Sequence, residues 1–209
     1  LLTRKTEEAK KLLDDLSKRF TDNTAVLFKQ AQIALAEKRY DDSLQAIDAI
    51  LRKTPNQSDA LTFKSQILMA QGKTEEALAH YREAVRLAPD YSAAYVNLGA
   101  LLMRRGDLQG AVSQFRRSLE INPGQWEARV NLGAALAGQG KAAEAITSYR
   151  EALRIDLGVM QAHYGLADLL ARQGNLEEAV SHYREVVRLN PRFAEGHFSL
   201  GVALGRQGK

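Results

Sequence analysis

Apolar and small residues recur along this chain at helical spacing, and the whole arrangement then repeats. Between Ser92 and Gln125 the sequence sets Tyr95, Leu98, Gly99 and Leu102 close together, breaks at Gly106, and resumes with Ala111 and Phe115 before Pro123. Apolar spacings of three and four residues put side chains on one face of an α-helix, so this stretch predicts two helices joined by a short turn. The same skeleton returns as Leu132-Gly133, Leu136, Gly140, Ala145 and Tyr149, and again as Leu166-Ala167, Leu170, Gly174, Ala179, Tyr183 and Pro191. Pro55, Pro89 and Pro123 stand 34 residues apart, and Pro191 lies two such periods beyond Pro123. A fixed period of this length marks a repeat architecture, in which each unit buries its apolar face only against its neighbours.

The chain divides into five repeats, 24–57, 58–91, 92–125, 126–159 and 160–193, flanked by two half units. Residues 1–23 carry Ala9, Leu13 and Leu16 at i, i+4 and i+7, and match a second helix whose first helix is missing. Residues 194–209 match a first helix without its second. Repeat one departs furthest from the skeleton, with Gln30-Ala31 in place of leucine-glycine and Lys38 in place of the turn glycine. Repeat two has Lys64-Ser65 at that pair, and repeat four closes on Leu157-Gly158 instead of proline. The expected fold is all-α, a single solenoid that reads as a fragment of a longer protein.

Each repeated column has a physical reason. The eighth position of the units is small (Ala31, Ser65, Gly99, Gly133, Ala167, Gly201), and so is the twentieth (Ser43, Ala77, Ala111, Ala145, Ala179). Small residues facing one another let paired helices approach closely, and extra methylenes there cost about 1–3 kcal/mol through overpacking. The twenty-fourth position is large and apolar (Ile47, Tyr81, Phe115, Tyr149, Tyr183) and fills the space between successive pairs. Gly72, Gly106, Gly140, Gly174 and Gly208 sit one step past each first helix, where a left-handed residue ends a helix at little cost.

On these residues the chain resembles the tetratricopeptide repeat family, with its leucine-glycine, alanine, aromatic and proline skeleton at the same period. The resemblance covers about residues 6 to 207 and extends to the repeats of bacterial scaffold members and of the O-GlcNAc transferase repeat domain. It implies a right-handed superhelical solenoid of antiparallel helix pairs, with the first helices lining a concave groove that takes a partner's peptide or helix. Carried over by position, the groove residues are Lys29, Phe63, Asn97 and Asn131 at the sixth position. Tyr164 follows at the fifth, Asp168 at the ninth, and Arg104 and Arg172 at the thirteenth. Asn97 and Asn131 resemble two rungs of the O-GlcNAc transferase asparagine ladder; each amide offers both a donor and an acceptor to a peptide backbone. Arg104, Arg172 and Arg206 add a preference for carboxylates. The chaperone-tail clamp is set aside, because Ala93, Glu127 and Gln161 stand where its basic residues belong.

Composition narrows function more than fold. The 29 basic residues are interspersed with 25 acidic ones for a net charge of +4, with no basic stripe and interleaved aromatics, so no nucleic-acid partner is expected. No apolar run approaches the roughly 20 residues of a membrane span. Absence of cysteine excludes disulfides and thiol chemistry and leaves the compartment open. His80, His163, His182 and His197 recur at repeat positions without the one-turn spacing of a metal site. Glu75-Glu76 and Glu177-Glu178 open second helices, where negative charge suits the helix dipole. Gly138-Gln139-Gly140 lacks the lysine and preceding strand of a phosphate loop. Arg82, Arg116, Arg150 and Arg184 form a column on the second helices, read as solvated surface with local ion pairs. No catalytic set, cofactor or metal is therefore expected, and the chain reads as a non-enzymatic scaffold for a protein or peptide partner. Two alternatives stand beside this reading. One is a substrate-recruiting arm for a glycosyltransferase-type domain outside the chain. The other is a scaffold that self-associates through its terminal helices, where Leu200 and Leu204 lack a covering second helix.

Overall fold

The computed structural model describes residues 23–208; the helix expected around Ala9, Leu13 and Leu16 lies outside them. Eleven α-helices and no strand occur among the described residues, as the sequence pattern requires. First helices are α1 (Thr24–Ala36), α3 (Ser58–Ala70), α5 (Ser92–Arg104), α7 (Trp126–Gly138), α9 (Met160–Arg172) and α11 (Ala194–Arg206). Second helices are α2 (Tyr40–Lys53), α4 (Thr74–Leu87), α6 (Leu108–Ile121), α8 (Ala142–Ile155) and α10 (Leu176–Leu189). The chain falls into two compact units, divided between Asn97 and Leu98 within α5.

The turns inside the pairs explain why the helices stop where they do. Gly72, Gly106, Gly140, Gly174 and Gly208 all take positive φ, between 74° and 83°. Lys38 takes the same conformation at φ 61° without the freedom of glycine. The closing hydrogen bond is nevertheless preserved: the amide of Arg39 donates to the carbonyl of Ala34 at 2.8 Å, as Lys73 does to Leu68. The local geometry therefore survives a residue that pays a steric penalty for it.

In the first unit, Ala31, Ala46, Ile47, Ile50, Ala60 and Ile67 form one buried cluster, with Phe28 and Phe63 half-buried against it. The Ser43 hydroxyl donates to the carbonyl of Ala31 at 2.7 Å, which joins the twentieth position to the backbone of the eighth. Lys64, unexpected at its position, is half-buried and pairs with Asp48 at 2.8 Å.

In the second unit the eighth position also meets the twenty-fourth. A Cβ on Gly99 would stand 2.7 Å from the ring of fully buried Phe115, and one on Gly133 would stand 2.9 Å from the ring of Tyr149. The second helices α6 and α8 thus each lay an aromatic ring into a notch on their own first helix. On α11 the sequence expectation is corrected. Leu200 and Leu204 are half-buried, and the exposed apolar side chains are Phe198 and Val202, at 75% and 45% exposure. A 3.6-residue period turns those two positions away from α10, which packs on the opposite side of the helix.

Candidate functional site

In the second unit the first helices α7, α9 and α11 touch in series, so their side chains share a face. The centre of that face is set by Gly165 on α9. Tyr149, reaching across from α8, lies against this glycine so closely that a Cβ there would stand 2.5 Å from the ring and 2.7 Å from the phenol oxygen. Glycine at the sixth position therefore admits a tyrosine tip where the other repeats present a side chain.

Asp168 lies one turn further along α9 and acts on both neighbouring phenols. Burial first and the Asp168 carboxylate second push the Tyr149 hydroxyl up to about 12. Burial and then Asp168 also raise Tyr183, against a hydrogen bond with Ser199 that lowers it. Tyr164 packs edge-on against Tyr183 at 5.9 Å and Phe193 at 5.4 Å, with its hydroxyl 3.5 Å from the Ser199 hydroxyl. Asp168 pairs with Arg172 at 2.9 Å, one turn along the same helix, and the arginine side chain is 74% exposed. An exposed pair within one helix is worth little, so an incoming charged group can take either partner. The arrangement offers hydroxyls, a carboxylate and a guanidinium above an aromatic floor.

The other groove residues carried over from the sequence fall into place unit by unit. The side-chain amide of Asn131 on α7 is half-buried and has no hydrogen-bond partner among the described residues. Arg104, at the end of α5, is exposed and makes no ion pair among them. In the first unit the Asn97 amide has no hydrogen-bond partner among the described residues either. Lys29 is exposed and donates to the side chain of Gln32 at 3.0 Å. Phe63 is half-buried against the core cluster of the first unit, its ring 5.2 Å from that of Phe28.

Two arrangements that involve the second helices escape sequence reasoning. Arg116 pairs with Glu144 at 2.8 Å and Arg150 with Glu178 at 2.7 Å, tying α6 to α8 and α8 to α10. These arginines bridge repeats and are not paired locally with their sequence neighbours. The second arrangement joins His163 on α9 to His182 on α10, Nδ1 to Nδ1 at 2.9 Å. Nε2 of His163 donates to the carbonyl of Leu157 at 3.1 Å, which fixes its tautomer. Nδ1 of His163 must then accept, and Nδ1–H of His182 donates. The remaining nitrogen of His182 faces Glu178 at 3.8 Å. Burial, followed by the neighbouring His163, lowers the His182 pKa. The two histidines occupy different columns of the repeat, so period counting separates what folding brings together. The available signal was their shared repeat, with position four packed on position twenty-three.

Among the described residues no helix is long and apolar enough to cross a membrane. Models of the tetratricopeptide repeat match residues 1–67 and, in two segments, 64–125 and 122–159, and a TPR repeat model matches 167–208. No curated protein sequence matches the chain. Solved structures similar to it include MamA from Desulfovibrio magneticus, 19% identical, with a TM-score of 0.70 over 82% of this chain and 97% of that one. YrrB, a repeat protein with an unusual peptide-binding site, is 18% identical with a TM-score of 0.67, over 94% and 98% of the two chains. Yeast Tom70 is 18% identical with a TM-score of 0.78, over 93% of this chain and 42% of its own. At these identities the likeness speaks for the fold.

Proposed function

Because the chain belongs to the tetratricopeptide repeat family, we propose that it is a non-enzymatic scaffold whose first helices hold a peptide or helix of a partner protein. The carrying observation is the face of α9, where Tyr164, Asp168 and Arg172 stand over the Tyr149 and Tyr183 rings. Asn131 supplies an unspent amide on α7, able to bond a peptide backbone whatever its side chains. Arg104 and Arg172 favour a partner segment with carboxylates, since guanidinium pairs well with them. Asn97, Lys29 and Phe63 extend the same proposal to the first unit. The test begins with peptides selected from a displayed random library against the full chain. The tightest one is then titrated against the Asn97→Ala/Asn131→Ala and Tyr164→Ala/Asp168→Ala variants. An affinity loss of tenfold or more in folded variants is expected; unchanged affinity in both refutes the reading.

A second reading, self-association, is supported by Phe198 and Val202 on α11, both exposed and apolar. Light scattering across a concentration series separates the two. A constant mass of 23.1 kDa favours an external partner, and a mass that rises with concentration favours a second copy.

A further inference from the structure

Two successive junctions of the second unit are built differently. Between repeats three and four, the half-buried side chain of Arg129 links the closing turn of one repeat to the second helix of the next. Its guanidinium donates to the carbonyl of Pro123 at 2.8 Å and to Glu151 at 3.0 Å. One period later His163 stands in place of that arginine. It keeps the backbone contact, to the Leu157 carbonyl at 3.1 Å, and turns its other nitrogen to His182 at 2.9 Å. An imidazole is shorter than an arginine side chain, and a cleft of about 400 Å³ remains, walled by Leu153, Leu157, Leu166 and the two histidines.

The mouth of the cleft has its own character. Leu157 takes the place that proline holds in the other repeats and is 74% exposed, with Ile155 exposed close by in the chain. Arg150 and Arg154 line the rim. Arg150 is neutralised by Glu178 at 2.7 Å, while Arg154 makes no ion pair among the described residues. An apolar hollow beside one uncompensated cation selects for charge as well as for shape.

We propose that this cleft is a second docking site, separate from the first-helix face, for a partner segment that carries an apolar side chain next to a carboxylate. The apolar group packs on Leu157, the one exposed leucine of the three, and displaces water from it. The carboxylate meets the guanidinium of Arg154. A segment with a basic residue at that place is repelled, and the preference follows from the charge of the rim alone.

The experiment uses the isotopically labelled full chain and two synthetic peptides of equal length, one with leucine followed by two glutamates, the other with leucine followed by two lysines. Saturable shifts at the Leu157 amide and the His182 ring are expected with the acidic peptide, at an affinity at least tenfold above that of the basic one. Arg154→Glu, a change at an exposed side chain, is expected to abolish or invert that preference. A triple variant, Leu157→Pro, His163→Arg and His182→Ser, grafts the residues of the preceding junction, Pro123, Arg129 and Ser148, onto this one. Glu185, which pairs with Arg188 at 2.8 Å, stands where Glu151 does and offers its second oxygen to the new arginine. The graft is expected to fold and to lose acidic-peptide binding at least tenfold. Equal affinity for the two peptides, no saturable shift with either, or undiminished binding to the graft overturns the proposal. None of the altered residues belongs to the Tyr164–Asp168–Arg172 face, so failure here leaves the first-helix reading intact.

Discussion

Replacing Gly165 by alanine sets two known effects against each other. Alanine is the better helix former by about 1 kcal/mol, and Gly165 lies inside α9, so propensity alone favours the variant. Packing opposes it. The new Cβ would stand 2.5 Å from the Tyr149 ring and 2.7 Å from its hydroxyl oxygen. That is about 1 Å inside an ordinary carbon contact of roughly 3.5–4.0 Å. The ring cannot simply retreat, because Gly133 gives it only the room of a missing side chain on its other edge, where a Cβ would be 2.9 Å away. Overpacking costs about 1–3 kcal/mol, and a buried ring held on two edges belongs at the upper end. The net expectation is a loss of about 2 kcal/mol once the propensity gain is subtracted. Gly201 provides the control: it sits inside α11 with nothing within 4 Å of the added Cβ, so Gly201→Ala is expected to stabilise. Urea unfolding followed by circular dichroism reads both, with the midpoint of Gly165→Ala falling by about 1 M for a typical slope. In a Tyr149→Leu background the alanine penalty is expected to vanish, since the aromatic tip is gone. A midpoint for Gly165→Ala at or above that of the unaltered chain refutes the argument.

Three further outcomes are expected. His182 holds its proton less tightly in the folded chain than an exposed imidazole of pKa about 6.5, so the unfolded chain binds more protons below that pH. Stability present above about pH 6.5 is therefore lost as the pH falls through the folded pKa; His80 adds a contribution of the same sign from burial and Lys64. Melting curves from neutral to acidic pH should show a shallower decline for His182→Ser, and an unchanged decline argues against the assignment. Lys38→Gly is expected to raise the unfolding free energy by about 0.5–1 kcal/mol, because the left-handed penalty outweighs the entropy added to the unfolded chain. A loss of stability in that variant contradicts the strain reading. Arg116→Ala is expected to cost at most about 1 kcal/mol in low salt and almost nothing near 1 M, since the pair with Glu144 is half-exposed and screened. A salt-independent loss would point to packing of the arginine stem instead.

The helix pairs were legible in the sequence because the information is carried many times over. One repeat with Lys38 at the turn and another with Lys64 at an apolar position do not erase a period fixed by the three repeats that follow. The backbone accommodates both, one by positive φ and one by pairing with Asp48. The α9 face was legible only in part. Tyr164, Asp168 and Arg172 lie at positions that a column count selects. Tyr149 does not, because it comes from a second helix and arrives only because Gly165 leaves space. The column count selects Phe63 as well, but it does not show the ring contact with Phe28, which comes from the neighbouring repeat. The His163–His182 contact joins two columns within a single repeat, and a period has nothing to say about pairs that occur once.

The bridges from Arg116 to Glu144 and from Arg150 to Glu178 link second helices that the first helices already hold apart. They therefore act on one side of the second unit only. Bending that spreads the second helices stretches these pairs together with the packing of each second helix on the first helix that follows it. They work as weak tension springs on the outer edge of a stiff stack, and their stiffness is set by the surrounding electrolyte. Concentrated salt therefore removes the contribution of these pairs to resisting such bending and leaves that of the buried packing.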